Sequence, residues 1–373
     1  MAFFEFSNIK ISGIAAAVPK IVVDVSRFSD IFGEKRTKKI IKSVGVKQYR
    51  KTSEHQTASD LCFVAAENLI SKLEVNREEI GALIFVAHST DYRRPATACV
   101  LHKRLKLGKE CACFDVNLGC SAYVYGLNIA ASIMQCSDIS KVLLLVGETI
   151  SKMTNPKDSA TVMIFGDGGS ATLVEKSEGS SVRGLLRSDG TGYRKIIAPA
   201  GGFRNLRAPN TPIEWEDGNI RTLYNTNMDG VGVFNFSMEE VPRAINDFIE
   251  YFRLTREEFD VFAFHQANYY LQKQIAKRLN VSLDKMPTCL DKYGNTSAAA
   301  IPLLLCNEYG NSNIDNSSIR VLACGFGVGL SWGVADFVVS DNCIFPVVET
   351  DDYFKEGVIN GPEDLMENVK PEI

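Results

Sequence analysis

The order of apolar segments repeats once along this 373-residue chain, and that repeat restricts the possible folds more than any other feature. The first pass reads strand 9–18, helix 58–73, strand 81–89, helix 120–135, strand 141–148 and strand 169–175. The second reads strand 181–190, helix 241–252, strand 261–267, helix 295–309, strand 319–326 and strand 332–340. The strands are unbroken apolar runs, the pattern of sheets covered on both faces. Alternation with helices gives an α/β class. Recurrence after about 170 residues is an internal duplication and not a short-period solenoid. The chain accordingly divides into an N-terminal half (1–178), a C-terminal half (179–340) and an acidic C-terminal extension (341–373). The extension is expected to be partly mobile.

One predicted helix stands apart. From Cys120 onward nearly every face is apolar (Ala122, Tyr123, Val124, Leu127, Ile129, Ala130, Ile133, Met134), which is the pattern of a helix buried all round. Between the halves, residues 199–230 are rich in Gly, Pro, Asn and Arg and read as a long loop, the kind of segment that forms lids or binding elements. Hydrophobic residues make up 45% of the chain, enough for a sizeable core. A net charge of −4 leaves no footprint for nucleic acid or an anionic membrane. No apolar run reaches the ~18–20 residues of a membrane span, and Asn8, Lys10 and Gly13 interrupt the start where a secretory signal would be continuous. A cytoplasmic protein is expected. The ten cysteines form neither a dense disulfide framework nor a pair at zinc-finger spacing, so we expect a reducing compartment and no metal.

Three positions carry chemistry. Cys120, in "FDVNLGCSAYVYG", follows a strand and a Gly-containing turn and opens the buried helix. Backbone N–H groups and the helix dipole there favour a thiolate, the nucleophile that accepts an acyl group from a thioester. The other nine cysteines read as small buried hydrophobes. His265 ends the strand in "VFAFHQAN", with Asn268 three residues on. Asn295, in "KYGNTSAA", opens a second apolar helix, where it could also serve as an N-cap.

Together "NLGCSAYVYGL", "HQAN", "YGNTSAAAIPLLL", "GFGVGLSWG" and "FGDGGSATLVE" resemble the β-ketoacyl-ACP synthase III family over residues 6–340. The resemblance implies a thiolase-like five-layered α-β-α-β-α sandwich of two pseudo-repeated halves. It implies an acyltransferase that joins an acyl thioester to malonyl-ACP by decarboxylative Claisen condensation through an acyl-cysteine. Cys120, His265 and Asn295 would be the catalytic set, and the backbone N–H groups of Cys120 and Val328 the oxyanion hole. Asn268 and Gly327 would flank the phosphopantetheine arm, while Lys277 and Arg278 would meet acyl carrier protein. The substrates' phosphopantetheine is the only cofactor-like group implied. A homodimer is implied as well, with Arg93–Cys99 reaching toward the partner's pocket. Where family members grip coenzyme A with an aromatic and two arginines, this chain has Lys39, Ser159 and Tyr270, which points to a primer carried on ACP. Three other readings remain open on this fold. A thiolase would need a second cysteine near Ala323, where Cys324 stands one residue late. A hydroxymethylglutaryl-CoA-synthase-like or ester- or amide-forming enzyme would take a non-malonyl acceptor, with Asp91 as the one acidic candidate for a base. An inactive partner subunit would gain no acyl mass.

Overall fold

The computed structural model describes residues 2–311 and 317–366. Two long antiparallel strands, β1 (Ala2–Pro19) and β5 (Gly168–Ser188), run through both halves. Before β5 come the helices α1 (Glu34–Val44), α2 (Ala58–Lys72), α3 (Thr97–Arg104) and α4 (Ala122–Gln135). The strands β2 (Ala82–Val86), β3 (Ala112–Val116) and β4 (Lys141–Glu148) alternate with them. After it come α5 (Gly230–Phe252), β6 (Val261–Phe264), α6 (Tyr269–Leu279), α7 (Ala300–Tyr309), β7 (Ser318–Gly327), β8 (Ser331–Ser340) and β9 (Val348–Thr350).

The stretch of β1 from Ile9 to Ala17 pairs with residues 169–176, and β4, β2 and β3 continue that sheet. The stretch from Ala2 to Ser7 pairs with residues 181–186, and β8, β7 and β6 continue a second. Between them residues 177–180 bulge opposite Asn8. Gly179 there takes φ +77, a left-handed conformation that costs a glycine little, and its N–H donates to Asn8 Oδ1 at 3.1 Å.

Strand alternation sorts the side chains into layers. Ala82, Ile84 and Val86 of β2 face the centre with α4 and α7, whereas Leu83 and Phe85 face α2 and α3. In the second sheet Val321 and Ala323 join the same centre, and Leu322 and Cys324 face α5 and α6. The order is therefore helices, sheet, α4 with α7, sheet, helices: the five-layered α-β-α-β-α sandwich. The all-round apolar pattern of α4 follows from this, since it is enclosed by both sheets. Each fully buried large side chain, such as Tyr123 or Phe337, contributes roughly 1.5–3 kcal/mol.

Three boundaries differ from the sequence reading. Helix α5 starts at Gly230 and not near residue 241, because Asp229 caps it, its Oδ1 accepting the Gly232 N–H at 2.9 Å. The two glycines in its first turn had hidden it. The Cys120 helix begins two residues late, at Ala122, and a 3₁₀ turn over Ser297–Ala299 precedes α7. In the extension expected to be partly mobile, residues 348–354 are docked on the first half. Strand β9 pairs with Ala17–Pro19, Arg50 Nη2 meets Glu349 at 2.6 Å, and the Phe354 N–H donates to Asp60 Oδ1 at 2.9 Å. Residues 367–373 lie outside the described residues. Among the described residues no helix is long and apolar enough to cross a membrane.

Candidate active site

Cys120 sits in a tight connection between β3 and α4, closed by the Ala122 N–H donating to Gly119 O at 2.7 Å. The loop after β7 comes down onto it. A Cβ on Gly327 (φ +154) would lie 2.6 Å from the Cys120 Cβ and 2.8 Å from its Sγ, so only glycine lets the two segments meet. A hydroxyl chain locks that loop from behind: Ser121 Oγ and Ser331 Oγ are 2.7 Å apart, and Ser331 Oγ donates to Val328 O at 2.8 Å.

His265 leaves the end of β6, where its N–H donates to Cys324 O at 2.8 Å. Its ring is buried, 2% exposed, and meets Phe326 edge-to-face at 5.5 Å. Burial pushes the imidazole down to about 4, partly opposed by the Ser297 backbone, so it is neutral at physiological pH. Its Nδ1 has no hydrogen-bond partner among the described residues.

Asn295 is held on both sides by the first half of the chain. Its N–H donates to Ile164 O at 2.9 Å, and its carbonyl accepts the Gly166 N–H at 3.1 Å. Its side-chain Oδ1 accepts the Ser297 N–H at 2.9 Å, which leaves the amide NH₂ free to donate into the cavity. Ser297 has φ +49, a strained conformation for a side-chain-bearing residue, and its Oγ is 3.8 Å from Cys120 Sγ.

Cys120, His265, Asn268, Asn295, Gly327 and Val328 all line one cavity of about 420 Å³. All six had been singled out from the sequence. The family model described as 3-Oxoacyl-[acyl-carrier-protein (ACP)] synthase III matches residues 114–190, around the cysteine. Its C-terminal companion matches residues 249–338, around the histidine and asparagine. A β-ketoacyl-[acyl-carrier-protein] synthase III of Caldanaerobacter subterraneus is 34% identical over 290 residues, 77% of this chain and 85% of its own. One of Streptococcus gordonii is 33% identical over 330 residues, 87% of this chain and 97% of its own. The solved 3-oxoacyl-(acyl-carrier protein) synthase of Burkholderia xenovorans superimposes with a TM-score of 0.87 at 33% identity, covering 94% of this chain and 99% of that one. This chain belongs to the β-ketoacyl-ACP synthase III family.

As a member of that family it is an acyltransferase of the thiolase fold, and its Cys120 thiol is shifted against the direction expected from the sequence. Burial pushes the Cys120 thiol up; the Val328 N–H, the Ser297 hydroxyl and its own N–H oppose that rise. The direction is opposite to the one expected at the start of a helix, and the helix itself begins only at Ala122. Those same two amides, of Val328 and Cys120, point at the sulfur and donate to no backbone carbonyl among the described residues.

Asn268 caps α6, its Oδ1 accepting the Leu271 N–H at 2.8 Å, while it also lines the cavity. Lys277 and Arg278 are exposed on the last turn of α6, roughly 12–15 Å along the helix from Asn268. Arg278 donates to Met238 O. Lys39 is exposed on α1, and Tyr270 is exposed, its ring stacked on Phe234 at 6.0 Å. Ser159 is buried, accepting from Arg36 Nη2 at 2.6 Å and donating to Asn219 Oδ1 at 2.8 Å. Neither Asp91 nor Cys324 lines the cavity: Asp91 accepts from Ser59 Oγ at 2.7 Å, and Cys324 is fully buried.

The loop over 199–230 forms a wall. Ile196, Ile197, Ala198, Thr226 and Met228 on it and beside it line the cavity. It is anchored by Arg221, 1% exposed, whose Nε donates to the fully buried Asp158 at 2.8 Å. Sequence reasoning missed Ser297 and Asn117, although they stand in the "NTSAA" and "NLGC" motifs, and missed His88 and Glu148, which had no motif to mark them.

Proposed function

We propose that this chain joins an acyl thioester to malonyl-ACP by decarboxylative Claisen condensation through an acyl-Cys120 intermediate. The observation that supports the reading is that Cys120, whose sulfur faces the Val328 and Cys120 amides, lines one cavity with His265 and Asn295. In the first half-reaction the Cys120 sulfur attacks the acyl carbonyl. The N–H groups of Cys120 and Val328 hold the oxygen as it becomes an anion. The carrier thiol leaves with the cysteine's proton, and the acyl group remains on sulfur.

In the second, the malonyl carboxylate leaves as carbon dioxide and its bonding pair moves into a thioester enolate. Neutral His265 donates one N–H and Asn295 one amide N–H to the enolate oxygen. Neutrality suits this role, since a group that donates without carrying a charge leaves the carbanion reactive. The enolate carbon then attacks the acyl-Cys120 carbonyl, the Cys120 thiolate departs, and a 3-oxoacyl carrier thioester is released. These steps need no resident metal or cofactor.

We further propose a cytoplasmic homodimer with Arg93–Cys99 near the partner's pocket, and a primer delivered on acyl carrier protein. Ser159 supports the last point, because its hydroxyl is already engaged on both sides and has little left to offer a phosphate. Lys277 and Arg278 would steer the acidic carrier. The test is condensation itself: acyl-ACP with malonyl-ACP should yield carbon dioxide and 3-oxoacyl-ACP in equal amounts. Carbon dioxide without the condensed product, or neither, would refute the reading.

A further inference from the structure

Beside Cys120 one stretch of the cavity wall is polar, and the condensation steps leave it unused. The His88 ring lies on the residue preceding the nucleophile: a Cβ on Gly119 would stand 2.8 Å from its Cε1 and 2.9 Å from its Nδ1. Glu148, the last residue of β4, is 2% exposed. Its Oε1 accepts the Ser89 N–H at 2.9 Å and its Oε2 the His88 N–H at 3.2 Å. The imidazole Nδ1 stops 3.9 Å from Glu148 Oε2, beyond hydrogen-bond range. Asn117 completes the wall, and all three residues line the same cavity as Cys120. Apolar side chains such as Ile150, Phe165 and Ile197 line much of the remainder.

We propose that the acyl group transferred to Cys120 carries a hydroxyl close to its thioester, bound by His88, Asn117 and Glu148. The proposal rests on the acyl-Cys120 reading above. A plain alkyl chain seated here would strip water from the imidazole and the Asn117 amide, lie against the Glu148 carboxylate and return no hydrogen bond, which is unfavourable. A hydroxyl replaces that water, because it donates to the carboxylate or imidazole and accepts from the Asn117 amide. A carboxylate substituent is excluded by the like charge of Glu148, and a keto oxygen cannot donate. Since His88 rests against Gly119, the hydroxyl belongs within the first few carbons of the acyl chain.

The full-length protein offered equal amounts of butyryl- and 3-hydroxybutyryl-pantetheine tests this, with the two acyl masses on the intact enzyme read over time. The hydroxylated donor should acylate faster by about three- to tenfold, the worth of one net hydrogen bond. His88→Leu and, independently, Asn117→Leu should bring that ratio close to one. Asn117 is exposed, so its variant keeps the test valid if His88→Leu folds poorly. Equal rates in the unaltered protein, or a preference that survives both variants, would overturn the subsite and leave the acyl-cysteine reading intact. No acyl mass from either donor would overturn both.

Discussion

Replacing Gly327 by alanine should damage this enzyme twice, and the structure gives the size of each effect. The new Cβ would stand 2.6 Å from the Cys120 Cβ and 2.8 Å from Sγ. Neither atom is the far end of a flexible chain, so relief requires moving backbone. The cysteine cannot retreat easily, since a Cβ on Gly325 would itself lie only 3.0 Å from Ser121 Cα. Overpacking of this kind costs about 1–3 kcal/mol, and a φ of +154 is a region nearly closed to alanine, adding about 1–3 kcal/mol. We expect urea denaturation to show a loss of about 2–6 kcal/mol. Displacing the Cys120 sulfur by a fraction of an ångström to about 1 Å should slow the proposed acylation by about 10²-fold. Gly179→Ala is the control, because its φ is +77 but nothing lies within 4 Å of the added methyl. That variant should lose only about 1–2 kcal/mol and keep its acylation rate. If Gly327→Ala is no less stable than Gly179→Ala and acylates at the normal rate, the close approach described here does not exist in solution.

His265→Ala and Asn295→Ala should still acquire an acyl group, while malonyl-ACP decarboxylation, followed as carbon dioxide release, falls by about 10²–10³-fold. Stability should depend on pH through His265, held near 4 when folded against about 6.5 unfolded. Between these values the unfolded chain binds the extra proton, so the contribution is complete above pH 6.5 and is lost as pH falls toward 4. Urea titrations from pH 7 to 4.5 should show this as a decline approaching about 3 kcal/mol, absent in His265→Gln. Arg221→Ala strands the buried Asp158 carboxylate and should cost about 3–5 kcal/mol by the same denaturation assay.

The candidate residues that line the cavity were legible because their local sequence is chemically overdetermined. Cys120 needs a glycine turn before it and a buried helix after it, and Asn295 needs its "YGNTSAA" turn. Such constraints are written within a few residues. The layered fold was legible for a related reason, as continuous apolar strands state that both faces are covered. What stayed hidden depends on partners distant in sequence. Nothing near Glu349 announces that Arg50 will hold it, so the docking of residues 348–354 could not be read from the sequence. The Asp158–Arg221 pair likewise joins segments 63 residues apart, and with it the anchoring of the loop wall. The upward shift of the Cys120 thiol could not be read locally either, because burial is its largest cause. Asp91 shows the converse: an acidic residue close in sequence to the site region can be turned away from it, toward Ser59.

The proposed reaction requires a covalent acyl group at Cys120. The most direct measurement is the mass of the protein after brief exposure to acyl-ACP, followed by peptide mapping of the modified residue. The account predicts one acyl group per chain, attached to Cys120, absent from Cys120→Ser, and discharged when malonyl-ACP is added. An acyl mass that maps to another residue, or that persists in Cys120→Ser, would contradict it.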